Sequence, residues 1–186
     1  MKALVTGNEG YIGGNFIKEW EKRGHTWVGY DNKSNWNFDL VDGIKELHLD
    51  HQNNPIDVVV HFAAIPRVAY SVKYPSIVMK NNILSTTNVL RWAKREGVPV
   101  IYSSSSSVVG NGEGPASPYA LSKYVGELET LLYHQLYGLK TVALRYFNVY
   151  SYDQVADSEY ATVVCNWKKY IKEGKVPFIT GDGEQR

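Results

Sequence analysis

The sequence predicts an α/β protein in which helices cover both faces of a doubly wound parallel sheet. Strand-like apolar runs alternate with helical patterns along its 186 residues, as in chains built from β-α-β units. The run over Asp57–Phe62 is apolar almost throughout, which is typical of a parallel strand buried on both faces. Two of the helical patterns end at a glycine, Gly24 and Gly97, the residue expected just past a helix.

The first thirty residues predict a strand, a glycine turn, a helix and a second strand. The first strand contains Ala3–Val5, the turn covers Thr6–Gly13, the helix runs to Arg23, and the second strand is His25–Tyr30. An apolar residue recurs at every fourth position of the helical stretch, at Ile12, Phe16 and Trp20. This spacing indicates one buried helix face.

The rest of the chain continues the alternation. Further strands are predicted over Lys45–Asp50, Asp57–Phe62, Val98–Tyr102, Lys140–Tyr146 and Val176–Thr180. Further helices are predicted over Pro75–Glu96, Tyr119–Tyr137 and Glu159–Lys172. Asparagine is costly inside a helix, so a structural hydrogen bond or solvent exposure is expected for Asn81 and Asn82.

Composition argues against several classes of protein. The net charge of +1 and the pI near 7.8 provide no basic surface for nucleic acid. No apolar run is long enough to span a membrane and no signal peptide is evident, so a cytoplasmic location is expected. Cys165 is the only cysteine and has no neighbours with which to form a metal site, so we expect no metal and a small buried side chain.

The glycine turn predicts a dinucleotide site. Gly7 would permit the tight turn, Gly10 would let a pyrophosphate approach the backbone, and Gly13 would let the helix pack against the sheet. Asp31 follows Gly13 by eighteen residues, where a carboxylate can bind a ribose diol and repel a 2′-phosphate, so NAD is favoured over NADP. The alternatives are a turn that binds nothing, and a 2′-phosphate held by Lys33.

Three side chains predict hydride-transfer chemistry. Tyr119 and Lys123 are four residues apart and therefore share one helix face, and five serines, Ser103–Ser107, follow a predicted strand. A nearby ammonium and a cationic nicotinamide would favour the phenolate of Tyr119, which could then take the proton of a substrate hydroxyl. Ser105 would hydrogen-bond the same oxygen, and Lys123 would also hold the nicotinamide ribose.

The ordered motifs TGNEGYIG, HFAA, SSSSSVVG, SPYALSK and LRYFNVY resemble the extended short-chain dehydrogenase/reductases, specifically the NAD-dependent epimerase/dehydratase family. The resemblance implies a Rossmann-like NAD-binding domain over residues 1–148. It also implies that Ser105, Tyr119 and Lys123 form the catalytic triad. Residues 149–186 would begin a small α/β substrate lobe that is truncated, because the family continues well beyond the Gly-Asp-Gly-Glu-Gln segment.

The resemblance also implies two binding sets. The expected cofactor-binding residues are Gly7, Asn8, Gly10, Tyr11, Ile12, Gly13, Asp31, Asn32, Asp50, Phe62, Ala63, Ala64, Asn82, Tyr119 and Lys123. The expected residues for the nucleotide-sugar are Ser105, Ser106, Tyr146 and Asn148. The expected partner besides the substrate is a second copy, bound through helices 75–96 and 119–137 with Ile77, Leu84, Trp92, Leu128, Leu132 and Tyr133 as candidate contacts.

Departures from the family pattern narrow the expected reaction. Dehydratases and decarboxylases of the family carry acids where this sequence has Ser106 and Ser107. The remaining pattern resembles UDP-galactose 4-epimerases, although Val109 and Ser151 replace their usual tyrosine and glycine. A dehydratase or reductase of the same family, and an NAD-binding module without catalysis, are the alternatives.

Overall fold

The computed structural model describes residues 1–33, 39–44, 54–110, 112–151, 154, 163–179 and 181–183. The chain divides into two compact units, Met1–Tyr146 and Phe147–Arg186. The strands of the first unit are β1 (Lys2–Thr6), β2 (Thr26–Tyr30), β3 (Val58–His61), β4 (Val100–Ser105) and β5 (Thr141–Tyr146). Its helices are α1 (Tyr11–Lys22), α2 (Val68–Lys73), α3 (Pro75–Glu96) and α4 (Pro118–Tyr137). The second unit contains α5 (Val163–Lys172).

The five strands form one parallel sheet in the order β2-β1-β3-β4-β5. The order reverses at β1, so the carboxyl ends of β1 and β3 flank a topological switch point, where open α/β sheets bind ligands. Alternate residues of the central strands pack into two cores. Leu4 and Val59 pack in the same core as Val89 of α3, whereas Val5 packs on the other face with Ile17 of α1. The predicted Rossmann-like sheet with helices on both faces is confirmed.

Local signals explain where the two long helices begin and end. In α3, Pro75 lies in the first turn and Gly97 follows the last residue with a left-handed backbone, φ 70°. In α4, the hydroxyl of Ser117 accepts a hydrogen bond from the Ala120 amide, and the chain leaves the helix through Gly138. Ser117 thereby fixes the first turn of α4, which contains Tyr119.

Two predicted strands differ from the structure, and one helix was not predicted. The fifth predicted strand, Val98–Tyr102, instead covers Val100–Ser105, because Ser103, Ser104 and Ser105 pair with β5. Helix α2 was not predicted. The strand predicted over Val176–Thr180 is wrong for residues 176–179, since the described part of the second unit offers no neighbouring strand to pair with them. The strand predicted over Lys45–Asp50 lies outside the described residues.

Candidate active site

The glycine loop between β1 and α1 is packed too closely to accept side chains. A Cβ on Gly7, whose φ is +70°, would lie 2.7 Å from the amide nitrogen of Ala63, and one on Gly13 would overlap the carbonyl oxygen of Gly7. Gly10 precedes α1 and has no side chain to cap it, so the first-turn amides are available to an anion. The loop therefore fits a dinucleotide pyrophosphate.

Asp31 lies next to this loop at the end of β2. One carboxylate oxygen accepts a hydrogen bond from the Glu9 amide and the other from the Lys33 amide, both at 3.0 Å. The charge of Asp31 is therefore held beside the loop, as the prediction of a ribose-binding acid requires. Asn32 follows it in an exposed turn. Asp50, expected beside the adenine, lies outside the described residues.

The ends of β3, β4 and β5 bring the remaining predicted residues together. Phe62 follows β3 and stacks on Tyr146 at a centroid distance of 6.5 Å, and Tyr146 pairs with Ser105 in the sheet. Ala63, whose backbone lies against Gly7, follows Phe62 and precedes Ala64. Asn148 belongs to the second unit, and its part in substrate binding stays a prediction.

The three predicted catalytic residues converge at the end of β4. The Ser105 hydroxyl lies close enough to the Tyr119 phenol to lower its pKa. One turn along α4, the ammonium of Lys123 donates to the carbonyl oxygen of Ser103 at 2.7 Å and lies 5.1 Å from the ring centroid of Tyr102. Lys123 is only 4% exposed, so its ammonium is held in one place.

Burial controls the pKa values of this group. It lowers the pKa of Lys123 to about 8 and raises the pKa of Tyr119, while the nearby Ser105 hydroxyl opposes the rise for Tyr119. Burial therefore favours the neutral phenol and opposes the phenolate that the sequence predicts beside an ammonium and a cationic nicotinamide. A base at this position needs the further positive charge of an oxidised nicotinamide.

The serine turn after β4 orients the hydroxyl of Ser105. The Ser105 oxygen accepts hydrogen bonds from the Ser107 hydroxyl at 2.9 Å and from the Ser107 amide at 3.2 Å. Because both donors come from Ser107, the single proton of Ser105 is directed toward other acceptors. Sequence reasoning did not predict that Ser107 orients Ser105, because one serine among five carries no signal for that role. Ser106, half-buried in the same turn, was one of the four residues predicted to bind substrate, and that role stays a prediction.

Asn82 makes the structural contacts expected of a helix-interior asparagine. Its carbonyl oxygen accepts from the Ile65 amide at 2.8 Å, and its amide donates to the Ile65 carbonyl and to the Ser122 hydroxyl. A contact between Asn82 and the cofactor stays a prediction, as do contacts from Asn8, Tyr11 and Ile12. Sequence reasoning also missed Thr6, His61 and Thr86, which are buried, polar and hydrogen-bonded beneath the site. A polar residue ending each apolar strand was the available signal for Thr6 and His61.

The described residues contain no group of three or more His, Cys, Asp or Glu side chains arranged to hold a metal. Among the described helices, none combines the length and apolar character that crossing a membrane requires. Cys165 is buried, and its thiol donates to the carbonyl oxygen of Gln154.

A family model describing the NAD dependent epimerase/dehydratase family matches residues 3–186. The chain belongs to this family. A putative UDP-glucose 4-epimerase of Methanocaldococcus jannaschii is 32% identical over 204 residues, which cover 98% of this chain and 67% of that protein. A UDP-N-acetyl-alpha-D-glucosaminuronate decarboxylase of Bacillus cytotoxicus is 31% identical and is covered to 65% of its length.

Solved structures show the same similarity. The UDP-N-acetylglucosamine 4-epimerase of Methanobrevibacter ruminantium M1 superposes with a TM-score of 0.85 at 32% identity, over 99% of this chain and 66% of that one. A Thermus thermophilus UDP-glucose 4-epimerase in complex with NAD superposes with a TM-score of 0.77 at 29% identity, over 94% and 64%. The chain therefore spans about two thirds or less of these relatives. NAD is the cofactor of the family to which it belongs.

Proposed function

We propose that this chain carries the cofactor-binding and catalytic part of an NAD-dependent nucleotide-sugar 4-epimerase of the UDP-glucose/UDP-galactose type. The observation that supports this most directly is the pair formed by the Ser105 hydroxyl and the Tyr119 phenol beside it, whose pKa that hydroxyl lowers. It lies at the carboxyl end of a central strand, one helical turn from a buried lysine. Residues 149–186 and Asn148 would contribute to the side of the site that binds the sugar.

The chain's own residues would perform the proton transfer. Tyr119 would take the proton from the sugar O4 as the C4–H bond breaks, and would return it after the sugar presents its other face. Ser105 would hydrogen-bond the same oxygen, and Lys123 would stabilise the charge on Tyr119. NAD, which the glycine loop and Asp31 would hold, would supply a reversible hydride acceptor for C4, so the reaction would involve no net oxidation.

The serine turn favours epimerisation over the other reactions of the family. Elimination of water and decarboxylation of a sugar acid both need a further acid or base near the ring. Ser106 and Ser107 stand where the family's dehydratases carry acids, and a serine hydroxyl cannot replace a carboxylate in that role. A decarboxylase is nevertheless among the relatives, so decarboxylation of a nucleotide-sugar acid belongs in the assay.

The proposal is tested by the interconversion of UDP-glucose and UDP-galactose. Tyr119→Phe removes the phenol and should lower kcat by about a hundred- to ten-thousandfold, the range for loss of general acid-base catalysis. Tyr137→Phe is the matched control, because Tyr137 is the last residue of the same helix and its side chain is exposed. We expect Tyr137→Phe to have wild-type kcat. Equal rates for wild type and Tyr119→Phe would exclude Tyr119 from the mechanism.

A second candidate function is an NAD-binding module that performs no chemistry. The glycine loop and the fixed carboxylate of Asp31 favour it, because they could bind a dinucleotide without any catalytic side chain. The two functions differ in the fate of the cofactor. An enzyme that oxidises C4 should give a transient increase in absorbance at the wavelength of reduced nicotinamide when nucleotide-sugar is added. A binding module should leave the cofactor oxidised with every nucleotide-sugar tested.

We further propose that the protein forms a homodimer through α3 and α4. The outward face of α4 carries an unusual amount of exposed apolar surface, at Leu121, Tyr124, Leu128, Leu131 and Leu132. Ile77 and Leu84 are exposed on α3, which packs against α4. A helix that is apolar on both faces is typical of a buried helix, and a two-fold axis would let two such pairs cover each other.

Two of the predicted contacts do not fit this surface. Trp92 is only 3% exposed and belongs to the core, and Tyr133 is partly buried against that core.

Leu128→Glu tests the dimer, because it places a charge in the exposed apolar surface of α4. It should convert the dimer to monomers, measured by light scattering at micromolar concentration. Lys18→Glu on α1, on the opposite face of the sheet, is the control and should remain dimeric. A monomeric wild type would overturn the proposal.

A further inference from the structure

Four hydrogen bonds form a continuous chain through the core beneath the active site. The Ala63 amide donates to the Thr6 hydroxyl oxygen at 3.2 Å, and that oxygen lies 2.7 Å from Nδ1 of His61. On the other side of the ring, Nε2 of His61 lies 3.1 Å from the Thr86 hydroxyl, which donates to the Asn82 carbonyl oxygen at 2.8 Å. Thr6, His61 and Thr86 are at most 2% exposed.

The positions of the protons along this chain follow from the partners of the two threonines. The only hydroxyl proton of Thr86 is directed to Asn82, so at His61 the Thr86 oxygen must accept a bond. His61 therefore carries its proton on Nε2, which leaves Nδ1 as an acceptor for the Thr6 hydroxyl. This neutral tautomer satisfies every donor and acceptor in the chain, whereas a second proton on His61 would deprive Thr6 of its acceptor.

One end of the chain supports the glycine loop. Thr6 is the last residue of β1 and holds the backbone of Ala63. Ala63 is the residue that a Cβ on Gly7 would strike, at 2.7 Å from its nitrogen. The relative position of Thr6 and Ala63 therefore sets the space in which the loop turns toward the helix α1 and its anion-binding end.

The other end supports the first turn of the catalytic helix. The Asn82 side chain donates to the hydroxyl of Ser122 at 2.9 Å, and that hydroxyl donates to the Tyr119 carbonyl oxygen at 2.7 Å. Ser122 is 1% exposed, so water offers no alternative partner. The hydrogen-bonded chain thus extends from the floor of the glycine loop, through His61, to the backbone of Tyr119.

We infer that His61 is a positioning residue, which through its two threonine partners couples the geometry of the NAD-binding loop to the placement of Tyr119. The inference rests on the proposed function for its catalytic part, while its cofactor-binding part needs only NAD. His61 does not reach the reacting atoms. Burial and the nearby charge of Lys123 keep its ring neutral, with a pKa lowered to about 3, so the tautomer is unchanged across the working pH range.

His61→Phe is the first test variant, since it keeps a ring against Tyr102, 5.8 Å away between centroids, but removes both hydrogen bonds. We expect about a tenfold weaker NAD affinity by calorimetric titration and about a tenfold lower kcat at saturating NAD, each equivalent to about 1.4 kcal/mol. Val59→Ala is the control, because it opens a cavity at a fully buried residue of the same strand but removes none of these hydrogen bonds. It should lower stability but change NAD affinity and kcat by less than about twofold.

A double-mutant cycle tests the coupling itself. Ser122→Ala breaks the chain at the catalytic helix, and coupling predicts that it also weakens NAD and that its effect in the His61→Phe background is much smaller than in the wild type. Additive effects on NAD affinity, or an equal loss in Val59→Ala, would show that His61 serves stability alone and would overturn the inference. NAD affinity is measured without substrate. Absence of epimerase activity would therefore count against the proposed function, while the NAD affinities of the variants would still test the coupling.

Discussion

The direction in which the Ser105 hydroxyl donates its proton depends on Ser107, two residues later in the sequence. Ser107 occupies the acceptor sites of the Ser105 oxygen with its amide and its hydroxyl. The Ser105 proton is then free for Tyr119 or for a substrate oxygen. Without the Ser107 hydroxyl, the Ser105 hydroxyl could rotate and donate to other acceptors, which would leave the reacting oxygen without its partner.

Ser107→Ala should therefore lower kcat with little effect on KM, because the lost bond orients a group that acts in the transition state. A decrease of about tenfold is expected, equivalent to about 1.4 kcal/mol for one orienting hydrogen bond. Steady-state kinetics with the UDP-sugars provide the measurement. Ser107→Thr keeps the hydroxyl and is the rescue control. If both variants lost activity equally, the backbone of the turn rather than the hydroxyl would be responsible.

The carboxylate of Asp31 should determine which dinucleotide binds. It is fixed by the Glu9 and Lys33 amides beside the glycine loop, where a 2′-phosphate would meet it with like charge. NAD should bind at least about tenfold more tightly than NADP, a difference of about 1.4 kcal/mol. Calorimetric titration of both dinucleotides measures the ratio.

Asp31→Asn is the matched variant for this prediction, because the amide oxygen can still accept a backbone hydrogen bond while the charge is removed. The NAD/NADP ratio should fall in Asp31→Asn. Lys33→Ala, which removes the neighbouring positive charge, should increase the ratio or leave it unchanged. Equal affinities of the wild type for both dinucleotides would mean that Asp31 does not face the ribose.

At the scale of elements, α4 packs on β4 through a glycine. A Cβ on Gly126 would overlap the ring of Tyr102, whose Cε1 atom lies 2.9 Å from the ideal Cβ position. The phenol of Tyr102 in turn donates to the carbonyl oxygen of Lys123 at 3.3 Å. The close approach of helix and strand at Gly126 thus helps to hold Lys123 at its partner Ser103.

Gly126→Ala should destabilise the protein although alanine is the better helix former. The gain in helix propensity is about 1 kcal/mol, and overpacking against the buried Tyr102 costs about 1–3 kcal/mol. We expect a lower midpoint of urea unfolding. Gly14→Ala is the control: it lies in α1, its Cβ would meet only the Asn8 oxygen at 3.5 Å, and it should be neutral or stabilising. A higher midpoint for Gly126→Ala would contradict the packing described here.

The elements that the sequence predicts well are those with signals at both ends. Helix α3 begins at Pro75 and ends before Gly97 as expected, because a proline and a left-handed glycine mark its two ends. Helix α2 has only six residues, too few for a periodic pattern. The serines of β4 show no strand propensity and are in the sheet because β5 pairs with them.

The candidate site divides in the same way. Ser105, Tyr119 and Lys123 could be predicted because each lies in a local motif whose spacing reflects one helix or one strand end. The series of hydrogen bonds through Thr6, His61 and Thr86 could not be predicted, since it joins residues of three elements that are 55 and 25 positions apart in sequence. Its geometry depends on the strand order, which local patterns do not specify.

At the scale of the whole molecule, the buried and hydrogen-bonded ring of His61 should make the free energy of unfolding depend on pH. His61 is neutral in the folded protein, with a pKa near 3, and has a pKa of about 6.5 when unfolded. Between these values the unfolded state binds one more proton than the folded state, so the free energy of unfolding rises with pH. Acidification below about pH 6.5 therefore weakens the fold, by at most about 1.4 kcal/mol per pH unit from this residue.

Comparison with His61→Phe isolates this contribution, because other titrating groups are common to both proteins. Tyr102 and Lys123 face His61, and neither changes charge at acid pH, since burial raises the pKa of Tyr102 and holds that of Lys123 near 8. Glu127, whose pKa the Arg145 hydrogen bond lowers, and Glu129, whose pKa burial raises, titrate in both. Wild type should be the more stable near pH 7, and its advantage should shrink as pH falls from 6.5 to 5. Urea unfolding at several pH values measures this difference; a constant difference would mean that His61 is already protonated in the fold or is open to water.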